Sequence, residues 1–153
     1  MLYVAYGSNM NLNQMAYRCP KSKVVGVGKI KGWNLVFNIH ADIVPTDNKN
    51  DEVPVLVWSI HKDDWKNLDF YEGYPSYYIK ENVEVEIDGV TENAIAYVMN
   101  SRRKGIAPPT TRYFECIKEG YIENGIDTEY LYDVLEYSRK NETEYNQYKL
   151  KLG

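Results

Sequence analysis

The sequence predicts an α+β domain in which a small curved sheet or β-barrel is flanked by α-helices. Two observations on the chain of 153 residues support this class: segments with strand-like alternation come mostly early, and segments with helical spacing of apolar residues come last. Strands followed by helices favour an α+β arrangement over a doubly wound parallel sheet. For this length we expect one domain, spanning residues 1–153.

The first half of the chain predicts four short strands, because apolar residues there alternate or cluster between turn residues. They cover residues 2–5, 23–27, 32–39 and 53–60. The glycine-rich segment 26–32 is interpreted as a turn between strands, since its spacing differs from GxGxxG and strand-like residues follow where a phosphate loop needs a helix. The polar stretch 45–51 is expected to be an exposed loop.

A short helix is expected next. Asp63 and Asp64 suit its start and Gly73 suits its end, which places Glu72 in the last turn. From Tyr78 onward, alternation predicts a hairpin that turns at Asp88-Gly89 into a strand over residues 93–99. Two further helices follow, with these candidate caps: Thr110 or Thr111 for the first, and Asp127 or Thr128 for the second.

Composition excludes several function classes. The net charge of −4 and the pI near 5.3 provide no basic surface for nucleic acid or for an anionic membrane. Cys19 and Cys116 form no CxxC pair, and His40 and His61 lack the close spacing of metal ligands, so we expect no disulfide scaffold and no metal. With no leader-like segment at the N-terminus and no apolar run of membrane-spanning length, a cytoplasmic protein is expected.

The segment Tyr6-Gly7-Ser8-Asn9-Met10 is the first candidate for chemistry, because it directly follows an apolar strand. Glycine permits a tight turn there, and successive backbone amides can point at an anion. An ordinary strand-ending turn explains the same residues. Ser8 as a nucleophile is a third interpretation, although the second glycine of a GxSxG elbow is missing.

Glu72 is the second candidate. It lies among four tyrosines between residues 71 and 78, and burial against these rings would raise the pKa of its carboxyl group toward that of a useful general base. A position at the negative end of a helix would raise this pKa further. A solvated glutamate at a helix end is the alternative interpretation.

Taken together, these motifs resemble the gamma-glutamylcyclotransferase superfamily, which includes AIG2-like proteins and gamma-glutamylamine cyclotransferases. The resemblance covers nearly the whole chain and rests on the order and spacing of short motifs. In chain order these are Tyr3 to Asn9, Leu68-Asp69-Phe70-Tyr71-Glu72-Gly73, Tyr78, Ala96-Tyr97-Val98-Met99, Pro108-Pro109 and the helix from Tyr113 to Gly120.

The resemblance implies a small barrel with a cavity and an enzyme that needs no cofactor. Its substrate would be a small gamma-glutamyl compound, whose α-amine attacks its own γ-carbonyl to release 5-oxoproline and a free amine. Glu72 would be the general acid and base. Substrate-binding residues would come from the first loop and from three tyrosines able to donate hydroxyl hydrogen bonds to a carboxylate: Tyr6, Gly7, Ser8, Asn9, Tyr78, Tyr97 and Tyr113.

Two other functions remain open at the level of the sequence: a small-molecule-binding module of the same fold without catalysis, and a hydrolase that uses Ser8. The leaving amine is not defined by the sequence. It would depend on the rim of the cavity, for which the loop 42–52 and the basic stretch 100–105 are candidates. The oligomeric state is equally undefined.

Overall fold

The computed structural model describes residues 1–103 and 105–143, so position 104 of the predicted basic stretch lies outside the described residues. The described strands are β1 (Leu2–Ala5), β2 (Lys23–Lys31), β3 (Trp33–Asn38), β4 (His40–Pro45), β5 (Glu52–Ser59), β6 (Tyr78–Ile87) and β7 (Val90–Met99). The described helices are α1 (Leu12–Arg18), α2 (Trp65–Glu72), α3 (Thr111–Glu123) and α4 (Glu129–Lys140), and 3-10 turns cover Ser8–Met10 and Ser101–Arg103.

Five strands close into a barrel in the order β1-β5-β2-β6-β7, and β3 and β4 form a separate two-stranded sheet. The barrel closes where β1 runs parallel to β7, with Tyr3 opposite Ile95, and the other neighbours in the barrel are antiparallel. Buried side chains from the strands and helices form one apolar cluster. The predicted α+β class, a small barrel with flanking helices, is confirmed.

The interpretation of segment 26–32 as a turn is wrong, because β2 continues through it to Lys31. Gly28 lies inside the strand, where a Cβ atom would come within 2.8 Å of the Glu86 carbonyl oxygen on β6. This glycine therefore permits close approach of a neighbouring strand rather than a change of direction. The chain turns at Gly32, whose φ of +81° lies in the left-handed region.

The predicted loop 45–51 connects β4 to β5, although its first residue, Pro45, is the last residue of β4. Strand β4 itself, over residues 40–45, is not predicted by the sequence pattern. Asn38 precedes the turn into β4, but the residue with positive φ is neither glycine nor asparagine. Ile39 occupies that position with φ of +66°, an unusual conformation for a β-branched residue. Its amide donates to the Ala107 carbonyl at 3.0 Å, and the Ala107 amide donates to the Phe37 carbonyl at 3.0 Å. Hydrogen bonds with a distant segment thus stabilise a turn that the local sequence does not predict.

Helix α1 was not predicted either, because of its seven residues only Met15 is buried and no apolar stripe marks it. Its N-terminus is capped by Asn11, whose side chain accepts a hydrogen bond from the Gln14 amide at 3.1 Å. The helix ends at Arg18, which it brings beside the loop that follows β1.

The predicted helix before Gly73 is confirmed as α2, and Gly73 ends it with φ of +63°. Asp64 precedes the helix without capping it through its side chain. Its carboxylate instead accepts hydrogen bonds from the Lys21 amide at 2.9 Å and the Ser22 hydroxyl at 2.8 Å. This aspartate therefore ties the start of α2 to the segment after α1.

The later elements agree with the sequence expectations. Strands β6 and β7 pair along their full length around the turn at residues 88–89. Thr110 caps α3 by accepting a hydrogen bond from the Tyr113 amide at 3.2 Å, and Asp127 accepts one from the Glu129 amide at 2.8 Å at the start of α4. In the part of the chain that the structure describes, no helix is both long and apolar enough to cross a membrane.

Candidate active site

The loop after β1 is held from two sides. Helix α3 lies so close to it that a Cβ atom on Gly120 would come within 2.7 Å of the Met10 carbonyl carbon. On the other side, the Trp58 indole nitrogen donates to the Asn9 carbonyl at 3.2 Å. The predicted binding loop is therefore fixed by packing against β5 and α3, rather than being a free surface turn.

Glu72 reaches this loop from the last turn of α2. Its Oε1 atom accepts a hydrogen bond from Asn9 Nδ2 at 3.1 Å, and the same nitrogen donates to the Tyr3 hydroxyl at 3.0 Å. Arg18 Nη1 donates to Asn9 Oδ1 at 2.8 Å, which orients the amide so that its NH₂ group faces the carboxyl group of Glu72. The structure thus joins the two motifs that sequence analysis singled out separately.

Burial raises the pKa of Glu72 to about 7, and the charge of Arg18 opposes part of this shift. The surrounding groups differ from those expected. Tyr71 and Tyr74, close in sequence, are 44% and 42% exposed. The carboxyl group is enclosed mainly by residues that the fold brings from other elements.

A narrow cavity of about 30 Å³ lies against the Glu72 side chain. It opens beside a wider outer cleft of about 590 Å³, and Ser8, Glu72, Tyr78 and Tyr113 line both. All the predicted site residues line the narrow cavity, together with Tyr3 and Ala41; they are Tyr6, Gly7, Ser8, Asn9, Glu72, Tyr78, Tyr97 and Tyr113.

Most of the tyrosine hydroxyl groups at this cavity already donate within the protein. Tyr6 donates to the Tyr97 carbonyl, Tyr97 donates to Asp69 Oδ1, and Tyr78 donates to the Ala41 carbonyl at 2.6 Å. The expectation that Tyr78 and Tyr97 donate to a substrate carboxylate therefore does not fit this arrangement. The side chains of Tyr78 and Tyr97 line the cavity, and their hydroxyl protons are already donated to acceptors within the protein.

Tyr113 is different, because its hydroxyl oxygen accepts a hydrogen bond from the Ala41 amide at 3.0 Å. Its own proton has no acceptor among residues 1–103 and 105–143, and burial raises the pKa of this hydroxyl group, so it stays protonated. Of the three tyrosines predicted to bind substrate, Tyr113 thus keeps a hydroxyl proton for a ligand in the cavity.

Backbone donors lie at the same place. A Cβ atom on Gly7 would come within 3.1 Å of the Ala41 Cβ and 3.3 Å of the Tyr113 hydroxyl oxygen, so glycine allows the loop to approach both. The amides of Gly7 and Ser8 donate to no group within the described ranges. They are therefore available to an anion or to a polarised carbonyl oxygen.

The sequence pattern indicates no role for Arg18 or Asp69. Arg18 belongs to a helix that the sequence pattern did not reveal. Asp69 accepts a hydrogen bond from the Tyr97 hydroxyl and forms an ion pair with Lys80 at 3.0 Å. It therefore fixes the position of Tyr97, whose carbonyl accepts the hydrogen bond from Tyr6. Its place in the segment Leu68-Asp69-Phe70-Tyr71-Glu72-Gly73 was a usable signal for Asp69, whereas Arg18 had none.

In the outer cleft, the lining side chains of the acidic and basic residue types are Arg18, Arg112, His40 and Glu72. Burial lowers the pKa of His40, which favours its neutral form, and the ring contacts the Tyr77 hydroxyl through Nδ1 at 2.8 Å. Among the described residues, no group of three or more His, Cys, Asp or Glu side chains is arranged to hold a metal ion. The lining of the cleft thus holds two arginines and a single carboxyl group, Glu72, whose negative charge is reduced near neutral pH by its raised pKa.

Comparisons with known proteins agree with this fold. The family model described as "Gamma-glutamyl cyclotransferase, AIG2-like" matches residues 3–115. A gamma-glutamylcyclotransferase from Bos taurus is 30% identical over 165 residues, covering 99% of this chain and 83% of the relative. One from Homo sapiens is also 30% identical, over 84% of this chain and 74% of the relative.

A solved structure named gamma-glutamyl cyclotransferase superposes with a TM-score of 0.76 at 26% identity, covering 100% of this chain and 99% of that one. The likeness therefore extends over the barrel and the helices as well as the motifs. On the extent of the family match and the identity to the bovine relative, the chain belongs to the gamma-glutamyl cyclotransferase, AIG2-like family.

Proposed function

We propose that this protein is a gamma-glutamyl cyclotransferase that converts a small gamma-glutamyl compound into 5-oxoproline and a free amine. The observation that carries the proposal is the Glu72 carboxyl group, which has a pKa of about 7 and lines both the narrow cavity and the outer cleft. Family membership and the names of the bovine and human relatives support the same activity.

The reaction exchanges one bond at the γ-carbonyl carbon for another. The substrate's α-nitrogen attacks this carbon and closes a five-membered lactam, and the bond from the carbon to the leaving nitrogen breaks. Starting from the neutral α-amine, the α-nitrogen loses one proton and the leaving nitrogen gains one. The further proton that the α-ammonium group gives up before the attack is balanced when the released amine is protonated, so neither water nor an electron carrier enters the balance.

Glu72 is suited to both proton transfers. The free α-amine has an ordinary pKa of about 8 and is mostly protonated near neutral pH, so a base must take a proton before the nitrogen can attack. A carboxylate with a pKa of about 7 accepts that proton readily and then donates it to the departing amine. An ordinary glutamate would hold the proton too weakly to do so efficiently.

Two kinds of donor would hold the folded substrate and the oxyanion that develops on the γ-carbonyl. The amides of Gly7 and Ser8 are unused in the described chain, and the Tyr113 hydroxyl retains its proton. Donors fixed before the reaction stabilise developing charge without reorganisation. The rings of Tyr78 and Tyr97 would shield this site from water.

The two other functions have less support. A binding module would not need a carboxyl group buried at a cost in free energy and held by Asn9. For a hydrolase, Ser8 would need a base, but the contact described for its hydroxyl oxygen is a long one from Arg18 at 3.4 Å, which cannot accept a proton.

Replacing the proposed base tests the function. Glu72→Gln keeps the size and the acceptor for Asn9 but cannot take up a proton, so 5-oxoproline release should fall at least about a hundredfold. Formation of 5-oxoproline from a panel of gamma-glutamyl amino acids, peptides and amines is measured by chromatography.

Glu84→Gln, at an exposed position of β6, is the matched control and should keep full activity. Undiminished turnover by Glu72→Gln would refute Glu72 as the base. Stabilisation of the wild-type protein by these compounds without any lactam would favour the binding module, and free glutamate as product would favour the hydrolase.

A further inference from the structure

The outer cleft has a charge opposite to that of the protein as a whole. The chain carries a net charge of −4, yet the cleft is lined by Arg18 and Arg112 and by a single acidic side chain, Glu72. Because the pKa of Glu72 is about 7, this carboxyl group is only partly ionised near neutral pH. The cleft therefore favours an anionic ligand.

The two arginines have different surroundings. The Arg18 guanidinium group donates hydrogen bonds to Asn9 and Ser8 and lies 4.7 Å from the centre of the Tyr71 ring. Its contacts are therefore made with other side chains of the site. No hydrogen bond or ion pair from the Arg112 side chain is found in the part of the chain that the structure describes. Glu115, one helical turn further on, forms no ion pair with it.

The position of Arg112 separates it from the reacting centre. It lines the outer cleft but not the narrow cavity, whereas its neighbour Tyr113 lines both. If the glutamyl unit reacts beside Glu72, the amine attached to its γ-carbonyl extends from the narrow cavity into the outer cleft. Arg112 is thus placed to contact the leaving amine rather than the glutamyl unit.

We propose that Arg112 binds a carboxylate of the leaving amine and so makes gamma-glutamyl amino acids and peptides better substrates than gamma-glutamyl derivatives of uncharged amines. This inference rests on the proposed function and deepens it. A guanidinium group matches a carboxylate with two parallel hydrogen bonds, which a neutral group of the same shape cannot reproduce with equal strength. Arg112 would then be a specificity-determining residue.

The test compares two substrates that differ only in this charge. Gamma-glutamyl-alanine has a carboxylate on its leaving group, and gamma-glutamyl-alaninamide replaces it with a neutral amide of the same size. For Arg112→Gln we expect kcat/KM for gamma-glutamyl-alanine to fall about tenfold, the lower range for a hydrogen bond to a charged group. Turnover of the alaninamide substrate should stay unchanged.

Comparing the ratio of the two substrates between proteins cancels the intrinsic difference in reactivity between their leaving groups. Arg112→Lys should restore part of the preference, since it keeps the charge but loses the planar pair of donors. The control is Arg139→Gln on α4, which removes the same charge at a position already paired with Glu136 and should leave the ratio unchanged.

An equal loss on both substrates, or no loss on either, in Arg112→Gln would overturn the proposal while leaving the cyclotransferase activity intact. If the wild-type protein formed 5-oxoproline from other members of the gamma-glutamyl panel but from neither of these compounds, the inference alone would be overturned. If it formed 5-oxoproline from no member of the panel, the proposed function and the inference that rests on it would both be overturned. A change confined to gamma-glutamyl-alanine supports both.

Discussion

At the site, one buried asparagine connects the groups on which the proposed chemistry depends. Asn9 is 2% exposed, accepts from Arg18 and donates to both Tyr3 and Glu72. Burial raises the pKa of the Glu72 carboxyl group, and the positive charge of Arg18 opposes part of this rise by stabilising the ionised form. The pKa of about 7 is therefore the result of strong desolvation with only partial compensation.

This balance predicts the pH dependence of activity. Because Glu72 must be ionised to accept a proton, kcat/KM should rise with pH through about 7 instead of through the ordinary glutamate range. Arg18→Gln removes a charge that favours the ionised form, so the rise should move to higher pH by about half a unit. Initial rates of 5-oxoproline release across a pH series measure this shift.

The matched control is Lys21→Gln, which removes an exposed charge paired with Asp63 and should leave the profile in place. A loss of packing around Arg18 would lower the rate at every pH without moving the rise. A profile for Arg18→Gln that keeps its midpoint, or moves to lower pH, contradicts the assigned role of this charge.

Among the elements, α3 contributes to the geometry of the site at two points. It supplies Tyr113 to the cavity, and at Gly120 it lies against the backbone of the loop after β1. Asn11 reinforces this contact by donating from its side chain to the Cys116 carbonyl at 3.1 Å. The distance between α3 and the loop thus sets the position of the loop amides relative to Tyr113.

Gly120→Ala tests this dependence. Alanine favours the helix by about 1 kcal/mol over glycine, but its Cβ atom would lie 2.7 Å from the Met10 carbonyl carbon, and that backbone must shift. We expect a net destabilisation of about 1 to 3 kcal/mol, typical of overpacking, together with a loss of activity. Urea unfolding and initial rates provide the two measurements.

Gly26→Ala on β2 is the control, because its Cβ atom would meet Ile87 Cγ2 at 3.8 Å, an ordinary contact. This variant should keep its activity. If Gly120→Ala were instead stabilised by the full helix propensity of alanine, the close contact between α3 and the loop would not limit the fold.

The elements also show what the sequence could predict. The β6–β7 hairpin and α3 were predicted because alternation, a turn pair and a capping threonine are local signals. Strand β4 was missed because a distant contact stabilises the turn into it, the bond from the Ile39 amide to Ala107. Helix α1 was missed because it has no apolar stripe. Glu72 and the loop residues lie in recognisable motifs, whereas Arg18 and Arg112 enter the site only through the tertiary fold.

For the whole molecule, the raised pKa of Glu72 has a cost in stability. The ordinary pKa of this group is 4.5 and the folded value is about 7, so the unfolded chain binds fewer protons between these values than the folded protein does. Stability should therefore fall as the pH rises from about 4.5 to about 7, and the loss should be complete above the folded value. Above this pH the proposed base is ionised, although its buried environment favours the neutral form.

Glu72→Gln should remove this cost together with the activity. Above about pH 7 we expect the variant to be more stable than the wild-type protein by about 1 to 3 kcal/mol, and below about pH 4.5 the difference should disappear, because Glu72 is then neutral in both states. Urea unfolding of both proteins across this range measures the difference, with the exposed Glu84→Gln expected to show little dependence on pH. A stability difference that stays constant across the range would mean that Glu72 titrates alike in the folded and unfolded chain. The carboxyl group would then lack the raised pKa that makes it suitable for both proton transfers.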